Sequence, residues 1–355
     1  MTQTIFSVHE AVALAENACL AAGANPAMAR SLAQATVSAA RYGRASVGFP
    51  HLLDYLSSLR DGRINTQATP RLMFPLPAII HADAQGGIAQ LGFDQAMPTF
   101  VERTQTLGIA LFTQCNSYTT GELGYYVRCL ALEGLLAFAV SNSPAVMAGV
   151  PGGKVAFGTN PMAFAAPLSD VNAPIVIDQA ASATAFVNIV KAAAEEQNIP
   201  QGWAIDETGE ATTSAQEALR GALLAFGGAK GANIALMVEC LAAGLSSGAW
   251  SLDMPSFQTG SKAPNAGMVV IAISPTAVDE HFSARLSQQL ERLAARGVYI
   301  PGRRSLPSLQ QPNSEGLDHE KQNHKQLTHD ELRLKQTCSI AIDDDTVRKI
   351  KTFTY

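Results

Sequence analysis

The pattern of the sequence changes near Pro75, and this change constrains the fold more than any other feature. Residues 1–72 carry apolar side chains at helical spacing, interrupted by glycines and capping residues, which predicts three short helices. From Pro75 onwards, short β-prone runs separated by Gly, Pro, Asn and Asp alternate with further helical stretches. A helical unit followed by alternating strands and helices predicts a mixed α/β (α+β) fold with its sheet in the middle of the chain.

Local signals place the helices. Ser7 and Glu10 have the spacing of a capping box, and Asn25 followed by Pro26 supplies an N-cap and a first-turn proline for the second helix. Apolar periodicity predicts later helices at 92–106, 122–133, 182–197, 229–247 and 276–297.

The C-terminal part of the chain has a different composition. Residues 303–330 are rich in Gln, Asn, His, Lys and Pro and contain few large apolar residues, which predicts a solvated polar arm. The last residues are expected to form a strand or loop and then a short helix capped by Asp344 or Asp345. This end of the chain is expected to dock back on the body of the protein.

Composition excludes several classes of function. The chain has 355 residues, enough for two domains, and its 47% hydrophobic content supports a folded core. A formal net charge of −5 without a basic stripe argues against nucleic acid as a partner. No run of about 18 apolar residues exists, so no membrane partner is expected. The first ten residues lack the basic and apolar parts of a signal peptide, which predicts a cytoplasmic location.

The cysteines and histidines do not indicate a disulfide framework or a metal site. The 5 cysteines are scattered and form no CxxC pair, as expected for free thiols in a reducing compartment. The histidines show no HExxH or comparable ligand spacing, so no metal is expected.

Glycine-rich segments give one weak indication of ligand binding. The chain lacks the GxGxxG fingerprint of standard dinucleotide-binding folds. The segment 149–155 resembles a short P-loop, but no Ser or Thr follows Lys154, so a plain turn is the better interpretation. The GGAKG segment at 227–231 opens a predicted helix, where free backbone N–H groups can bind phosphate or carboxylate. Composition and spacing alone do not identify the function.

Several segments in one order and register resemble the malate/L-lactate dehydrogenase-like family, which includes Δ1-piperideine-2-carboxylate and Δ1-pyrroline-2-carboxylate reductases. The resemblance covers roughly residues 5–305, and the matching segments are LLDYLSSLRDGRI (52–64), FGTNPMAFAAP (157–167), PIVIDQAAS (174–182), IPQGWAIDETGEATT (199–213) and LLAFGGAKGANIALMVECLAAGLSSG (223–248).

The resemblance implies a fold that is not a Rossmann fold, which accounts for the missing fingerprint. It implies a helical domain built from both chain ends, at 1–72 and 276–355, and a central mixed-sheet domain at 73–275 that binds NADPH or NADH. It also implies a homodimer whose active site lies near the subunit boundary, and a small carboxylate as the substrate.

The resemblance also implies which residues contact the cofactor. Carried over position by position, they are Ser117, Thr119, Thr120, Gly121, Glu122, Leu123, Thr159, Asp178, Ala180, Ser182, Lys230, His281 and Arg285. Among these, Lys230 and Arg285 offer positive charge to phosphate groups.

This chain departs from the family pattern at the proton donor. The family has Ser-His-Gly after the second helix, where the histidine is the proposed donor, and this chain has Ser46-Val47-Gly48. In imino-acid reductases an aspartate partners that histidine, and it aligns here with Asn188. Because valine cannot exchange a proton, the chain lacks both members of the acid pair.

Two further departures affect the substrate side. An arginine that binds the substrate carboxylate in the family, three residues after the glycine, is here His51. A second family histidine becomes Thr119, within Asn-Ser-Tyr-Thr-Thr-Gly at 116–121. We therefore expect Ser46, His51 and Asn188 to serve the reaction, and Arg44, Tyr118 and Thr119 to bind the substrate.

Three explanations of these departures are open. First, the enzyme reduces a C=N bond. A cyclic iminium already carries its proton, so loss of the acid pair is less costly for this reaction than for ketone reduction, which develops alkoxide charge. Second, it is a 2-hydroxy-acid dehydrogenase of the malate, lactate or sulfolactate type, in which His51, Tyr118 or a bound water replaces the donor. Third, the scaffold has become a non-redox lyase or binding protein. The first explanation is our prediction.

Overall fold

Helices and strands alternate through most of the chain in the computed structural model, which describes residues 2–301 and 339–354. The α-helices are α1 (Val8–Ala21), α2 (Pro26–Arg41), α3 (Phe49–Arg60), α4 (Ala89–Leu107), α5 (Leu123–Leu132), α6 (Phe186–Ala194), α7 (Ala215–Ala218), α8 (Ala229–Glu239), α9 (Phe282–Ala294) and α10 (Asp344–Lys351). Short 3-10 helices cover Ala45–Val47 and Pro275–Ala277, and a π-helix covers Cys240–Leu245.

Within the described part of the chain, the strands form three sheets. They are β1 (Gln3–Ser7), β2 (Arg71–Leu76), β3 (Ile79–Asp83), β4 (Ile109–Ser117), β5 (Leu136–Ser141), β6 (Met147–Ala148), β7 (Val155–Phe157), β8 (Met162–Ala166), β9 (Ile175–Gln179), β10 (Ala204–Ile205), β11 (Ala211–Thr212), β12 (Ala222–Leu224), β13 (Ala266–Ile273) and β14 (Ser339–Asp343).

The central sheet is mixed, as predicted. Its seven strands run in the order β2-β3-β4-β13-β5-β8-β9, with β3 and β4 parallel and the other neighbours antiparallel. A second sheet has the order β11-β10-β12-β6-β7, in which β12 and β6 are parallel. Helices α4 and α5 cover one face of the central sheet, and their side chains share its core with Phe112 and Val270.

The N-terminal helices begin where the capping signals predict. The Ser7 hydroxyl accepts the Glu10 N–H while the Glu10 carboxylate accepts the Ser7 N–H, which completes the capping box. The Asn25 side chain accepts the Met28 N–H at 2.9 Å, with Pro26 in the first turn of α2. Helices α1, α2 and α3 pack with α10 around a shared apolar core.

The two ends of the chain pair with each other. Strand β1 runs antiparallel to β14, with Gln3 opposite Asp343 and Ser7 opposite Ser339. The sequence did not predict β1, because its five residues precede a strong helix signal. The last helix is capped by Asp343, which accepts the N–H groups of Asp345 and Thr346. The predicted caps, Asp344 and Asp345, are therefore wrong by one or two positions, because both lie inside the first turn.

Other predicted boundaries need correction. Helix α9 begins at Phe282, because Pro275–Ala277 forms a separate 3-10 turn. Helix α9 packs with Leu136, Phe164 and Ile175 beside the central sheet. It does not share the core of the N-terminal helices, as the assignment of 276–355 to the helical domain predicts it should. The division of the chain into two domains therefore stays a prediction, and the polar arm at 303–330 lies outside the described residues.

The predicted helix at 229–247 changes its hydrogen bonding halfway. It is α-helical to Glu239 and continues as the π-helix to Leu245. A Cβ atom on Gly267 of β13 would lie 1.7 Å from the Ala242 carbonyl oxygen, so the helix and strand approach as closely as glycine permits. Within residues 2–301 and 339–354, the structure contains no helix with the length and hydropathy that a bilayer crossing requires.

Candidate active site

The turn that precedes α3 carries the residues aligned with the proton-donor motif. A 3-10 turn at Ala45–Val47 leads through Gly48 into α3, which has Pro50 in its first turn. Ser46 is exposed, whereas Val47 is half-buried and lines a narrow crevice with Gln90 and Gly121. The apolar Val47 side chain thus faces the segment 119–122, and it has no proton to exchange there.

His51 lies on the first turn of α3 and forms a pair with Asp54. Its Nδ1 atom is 2.8 Å from Asp54 Oδ2, and its Nε2 atom is 3.4 Å from the Thr119 hydroxyl. The ring also makes edge contacts with Tyr55 and Phe257, at centroid distances of 5.0 and 5.8 Å. The side chain is 15% exposed, so part of the imidazole is accessible from solvent. When protonated, this ring donates from both nitrogen atoms.

Thr119 is fixed by a buried phenol. Its hydroxyl donates to the Tyr55 oxygen at 2.7 Å, and the Tyr55 hydroxyl donates to the Thr119 carbonyl at 3.0 Å. Gln90 donates to the Tyr55 oxygen and to the Thr120 carbonyl, both at 3.1 Å. Burial raises the pKa of Tyr55 to about 12, so this side chain stays a neutral phenol at physiological pH. The network holds Thr119 beside His51.

The structure does not support the predicted substrate contact of Tyr118. This side chain is fully buried among the helices, where its hydroxyl accepts a hydrogen bond from Ser58 and donates to the Phe257 carbonyl, each at 2.8 Å. Burial raises its pKa well above the usual value. Tyr118 therefore supports α3 and the 257 segment from within the core.

Glu122 and Ser117 also have structural partners. The Glu122 carboxylate is 1% exposed and forms an ion pair with Arg128, whose guanidinium also stacks on Tyr42 at 3.8 Å. The buried Ser117 hydroxyl donates to the Ala266 carbonyl at 2.9 Å, between β4 and β13. Neither side chain is available to a ligand, although the backbone around Gly121 remains a candidate contact.

The start of α5 meets the end of β9 and the turn before α3. Asp178 Oδ2 accepts the Gly124 N–H at 2.8 Å, and Arg44 donates to the Asp178 carbonyl at 3.3 Å. Burial raises the pKa of the Asp178 carboxyl, an effect that the Gly124 hydrogen bond opposes. These contacts connect the substrate-side and cofactor-side segments. Leu123 and Thr120, which were also predicted to contact the cofactor, are buried in this region.

Three further predicted segments meet at one backbone junction. The Thr159 carbonyl accepts the Ala181 N–H at 2.8 Å, and the Ala181 carbonyl accepts the Phe226 N–H at 3.0 Å. Ser182 pairs with Ala225 in an isolated bridge. Ala180 is half-buried beside this junction. This junction brings together residue 159, the segment 178–182 and the start of the glycine loop. The family resemblance assigns all three to the cofactor.

Asn188 lies on an exposed part of α6. Its amide donates to the Thr184 hydroxyl at 2.9 Å, four residues earlier. Among the described residues, this amide has no hydrogen bond to His51 or Ser46, so the predicted catalytic grouping of the three is not seen.

The glycine loop fits an anionic ligand. Gly227 and Gly228 have φ values of 59° and 64°, and a Cβ atom on either would have no neighbour within 4 Å. Helix α8 starts at Ala229 without a side-chain cap, so its first N–H groups are open, and Lys230 is exposed beside them. Free N–H groups and a lysine at a helix start suit the phosphates of a dinucleotide.

His281 and Arg285 lie apart from these residues. Arg285 forms an ion pair with Asp279, and His281 lies 3.5 Å from Glu280, each within its own segment of the chain. Among the described contacts, none connects them to the glycine loop or to Thr159.

The sequence reasoning missed Asp54, Tyr55 and Gln90. For Asp54 a signal was present, because residues three apart on a helix share a face and His51 precedes it by three. The contacts of Tyr55 and Gln90 join α3, α4 and the 119–120 segment, which lie far apart in the sequence. Nothing in one sequence indicates those contacts.

The cavities do not locate the site by themselves. The crevice beside Val47 measures about 10 Å³, room for about one water molecule. A larger groove of about 440 Å³ lies at the β2 edge, between Phe74 and Leu107, far from the residues above. We place the site at the crevice, because the His51 ring contacts Tyr55, which lines the crevice, and Thr119, which precedes the lining residue Gly121. Within the described residues, no group of three or more His, Cys, Asp or Glu could hold a metal ion.

Comparisons with known proteins match most of the chain. The model of the family described as malate/L-lactate dehydrogenase matches residues 6–328. A Δ1-pyrroline-2-carboxylate/Δ1-piperideine-2-carboxylate reductase of Pseudomonas putida is 38% identical over 302 residues, 83% of this chain and 87% of the relative. A (2R)-3-sulfolactate dehydrogenase (NADP+) of Chromohalobacter salexigens is 34% identical, over 84% of this chain and 90% of the relative.

A solved structure has the same fold. The crystal structure of Δ1-piperideine-2-carboxylate reductase from Pseudomonas syringae pv. tomato superimposes with a TM-score of 0.84 at 29% identity. The match covers 99% of each chain.

Proposed function

The chain belongs to the malate/L-lactate dehydrogenase family, and from this premise we propose that it is an NAD(P)H-dependent reductase of a cyclic imino acid. The substrate is Δ1-pyrroline-2-carboxylate or Δ1-piperideine-2-carboxylate, and the product is the corresponding L-amino acid. The relatives named as reductases of these compounds support the substrate class.

The observation that carries the proposal is the side chain at position 47. By the family resemblance, Val47 aligns with the proton-donor histidine, and the Asn188 amide is hydrogen-bonded to Thr184, four residues earlier. Ketone reduction builds negative charge on oxygen and gains about 10²- to 10⁴-fold from a positioned acid. A cyclic iminium carries its proton on nitrogen before the reaction, so loss of the acid costs this reaction less.

The protein residues bind and orient the substrate. His51, when protonated and paired with Asp54, binds the substrate carboxylate through Nε2. Arg44, anchored on the Asp178 carbonyl, adds positive charge near the same opening. The hydroxyls of Ser46 and Thr119 accept the iminium N–H. Hydride addition to the carbon of C=N–H⁺ then yields a neutral secondary amine, with no proton taken from the protein.

The residues present fit a reduced nicotinamide dinucleotide, which supplies the hydride when bound. The uncapped start of α8 with Lys230 binds its phosphates, and the junction at Thr159 and 178–182 binds the nicotinamide half. We keep both NADPH and NADH as cofactors. We further propose that the enzyme is a cytoplasmic homodimer.

A second candidate is a 2-hydroxy-acid dehydrogenase, which the sulfolactate dehydrogenase relative favours. In that reaction His51 or a water molecule would replace the missing donor. The 2.8 Å contact with Asp54 leaves Nε2 of His51 as the nitrogen that faces the opening and could give up a proton.

The experiment has two stages. Binding of NADPH and NADH is first measured by nucleotide fluorescence, because the absence of binding would favour a non-redox role. Turnover of the two cyclic imino acids is then compared with turnover of pyruvate and oxaloacetate. Turnover of the imino acids with little turnover of the oxo acids supports the proposal, and the opposite preference supports the dehydrogenase.

A further inference from the structure

The Thr119 hydroxyl belongs to a closed group of hydrogen bonds around the phenol of Tyr55. Thr119 is half-buried, whereas Tyr55 is 2% exposed and packs edge-on against His51 and Tyr118, at centroid distances of 5.0 and 5.1 Å. The phenol oxygen is hydrogen-bonded to the Thr119 carbonyl at 3.0 Å, to the Thr119 hydroxyl at 2.7 Å and to Gln90 Nε2 at 3.1 Å. The directions of these bonds decide what Thr119 can offer to a ligand.

A backbone carbonyl fixes the orientation of the Gln90 amide. The Thr120 carbonyl accepts hydrogen bonds from Gln90 Nε2 at 3.1 Å and from the Tyr126 hydroxyl at 2.8 Å. Because a carbonyl oxygen cannot donate, the nitrogen end of the amide must face it, and the same nitrogen then donates to the Tyr55 oxygen. A Cβ atom on Gly121 would lie 3.1 Å from this nitrogen, so the backbone packs closely over the amide.

The single hydrogen of the Tyr55 hydroxyl is donated to the Thr119 carbonyl, which can only accept. Burial raises the pKa of Tyr55 to about 12, so the phenol keeps this hydrogen. The 2.7 Å contact between the two hydroxyl oxygens therefore requires the hydrogen of Thr119. Since that hydrogen is engaged by Tyr55, the Thr119 oxygen has only lone pairs to offer to a ligand.

A hydroxyl held as an acceptor distinguishes the two candidate substrates. A cyclic iminium presents an N–H donor to it. The oxygen of an oxo acid is itself an acceptor and gains negative charge during hydride addition. Two acceptors that face each other leave both without a partner, and a site built to bind an N–H discriminates against analogues that lack it.

We propose that Tyr55 is a specificity-determining residue, which holds the Thr119 hydroxyl as a hydrogen-bond acceptor and thereby favours a substrate with an N–H beside its carboxylate. Tyr55 acts through Thr119 and is a positioning residue, and the Gln90 amide fixes it in turn. The family pattern has a histidine at position 119, which offers no hydroxyl, so the arrangement arises with this departure. The inference rests on the proposed function for the identity of the substrate.

Two ring carboxylates of similar shape test the preference for N–H. Pyrrole-2-carboxylate carries an N–H beside its carboxylate, and furan-2-carboxylate carries a ring oxygen in the same place. Neither aromatic ring accepts hydride, so binding to the full chain in the presence of NADPH is measured without turnover, by isothermal titration calorimetry. We expect the wild type to bind the pyrrole about tenfold more tightly than the furan, and this ratio to fall to about one in Thr119→Val.

Tyr55→Phe removes the phenol oxygen and keeps the ring. The Thr119 hydroxyl can then rotate and donate, so the pyrrole-to-furan ratio should fall about three- to tenfold, and the kcat/KM ratio of imino acid to oxo acid should fall with it. In a Thr119→Val background the same change should leave both ratios unaltered, because its effect passes through the hydroxyl. Tyr126→Phe is the matched control, since this phenol donates to the Thr120 carbonyl, and it should alter neither ratio.

The outcomes separate this inference from the proposed function. A Tyr55→Phe variant with the ratios of the wild type, or one that changes them equally in the Thr119→Val background, would overturn the role of Tyr55. Should Tyr55→Phe fail to fold, equal preference for the pyrrole in the wild type and in Thr119→Val would overturn it as well. A wild type that prefers the pyrrole but reduces oxo acids better than imino acids would count against the proposed function alone.

Discussion

The Nδ1 atom of His51 lies 2.8 Å from the Oδ2 atom of Asp54, three residues further along α3. The family resemblance places a carboxylate-binding arginine at position 51, and here an imidazole supported by a carboxylate stands in its place. An imidazole offers two ring nitrogens, of which one is engaged by Asp54, whereas an arginine offers five N–H donors in a planar fork. The ring is held on its other side by Tyr55 and Phe257, so its direction is set before a ligand arrives.

Substitution of Ser46 or His51 should reduce activity more than stability. Both contacts proposed for these side chains involve a charged group on the substrate, and such hydrogen bonds contribute about 1.5–3 kcal/mol. We therefore expect kcat/KM for the imino acid to fall about ten- to a hundredfold in Ser46→Ala and in His51→Ala. Steady-state kinetics beside chemical denaturation measures both effects, and unchanged turnover in both variants would refute the site assignment.

Removal of the Lys230 charge should weaken cofactor binding. The lysine is exposed at the uncapped start of α8, where it adds to the positive end of the helix. Lys230→Gln should raise the dissociation constant for NADPH about three- to tenfold, as expected for one exposed charge. Lys191→Gln on α6 is the control, since Lys191 is also exposed, and it should bind NADPH like the wild type. Equal affinities in the two variants would place the phosphates elsewhere.

Glu122 should prove to be a structural residue. Its carboxylate and the Arg128 guanidinium are both almost fully buried, and removal of one partner leaves the other charge without compensation. Glu122→Gln should therefore lower the free energy of unfolding by about 3 kcal/mol, whereas the exposed Glu133→Gln should have little effect. Urea denaturation checks this, and a stability like that of the wild type would show that the buried pair is dispensable.

The free energy of unfolding should depend on pH through the protonation of His81. Burial lowers the pKa of this imidazole from 6.5, and its Nδ1 atom lies 2.7 Å from the Thr113 hydroxyl. Below the unfolded-state pKa the unfolded chain binds the proton more readily than the folded protein. The stability contributed by neutral His81 is therefore fully present above about pH 6.5 and is lost as the pH falls through the lowered pKa.

His81→Gln measures this contribution. The difference in unfolding free energy between the wild type and this variant should shift in favour of the variant as the pH falls from about 7.5 to about 5.5. Other titrating groups are common to both proteins and cancel in the difference. A difference that is independent of pH would mean that the His81 pKa is not lowered by folding.

Interactions between residues close together in the chain explain which helix starts could be predicted from the sequence. The capping box of Ser7 and Glu10 and the Asn25 cap depend on side chains within three residues of the helix start, so sequence alone reveals them. The pairing of β1 with β14 and the passage into the π-helix beside Gly267 depend on segments far apart in the chain. Those contacts are set by tertiary packing, which single-sequence patterns do not contain.

The same distinction applies to the site. The resemblance led to Thr159, 178–182 and the glycine loop, and backbone hydrogen bonds join Thr159 to Ala181 and Ala181 to Phe226, the residue before that loop. The resemblance could not indicate that the side chains of Tyr118 and Glu122 are buried. Their burial depends on tertiary packing against the N-terminal helices and on the ion pair with Arg128.

The central claim is that a site with Val47 in place of an imidazole acid transfers hydride to a substrate that is already protonated. The most direct test is kcat/KM of the wild type for Δ1-pyrroline-2-carboxylate and Δ1-piperideine-2-carboxylate against pyruvate and oxaloacetate, with NADPH and with NADH. We expect at least one imino acid to exceed both oxo acids by about a hundredfold or more, because ketone reduction loses more than imine reduction when the acid is missing. Reduction of an oxo acid as efficient as that of either imino acid would contradict the account.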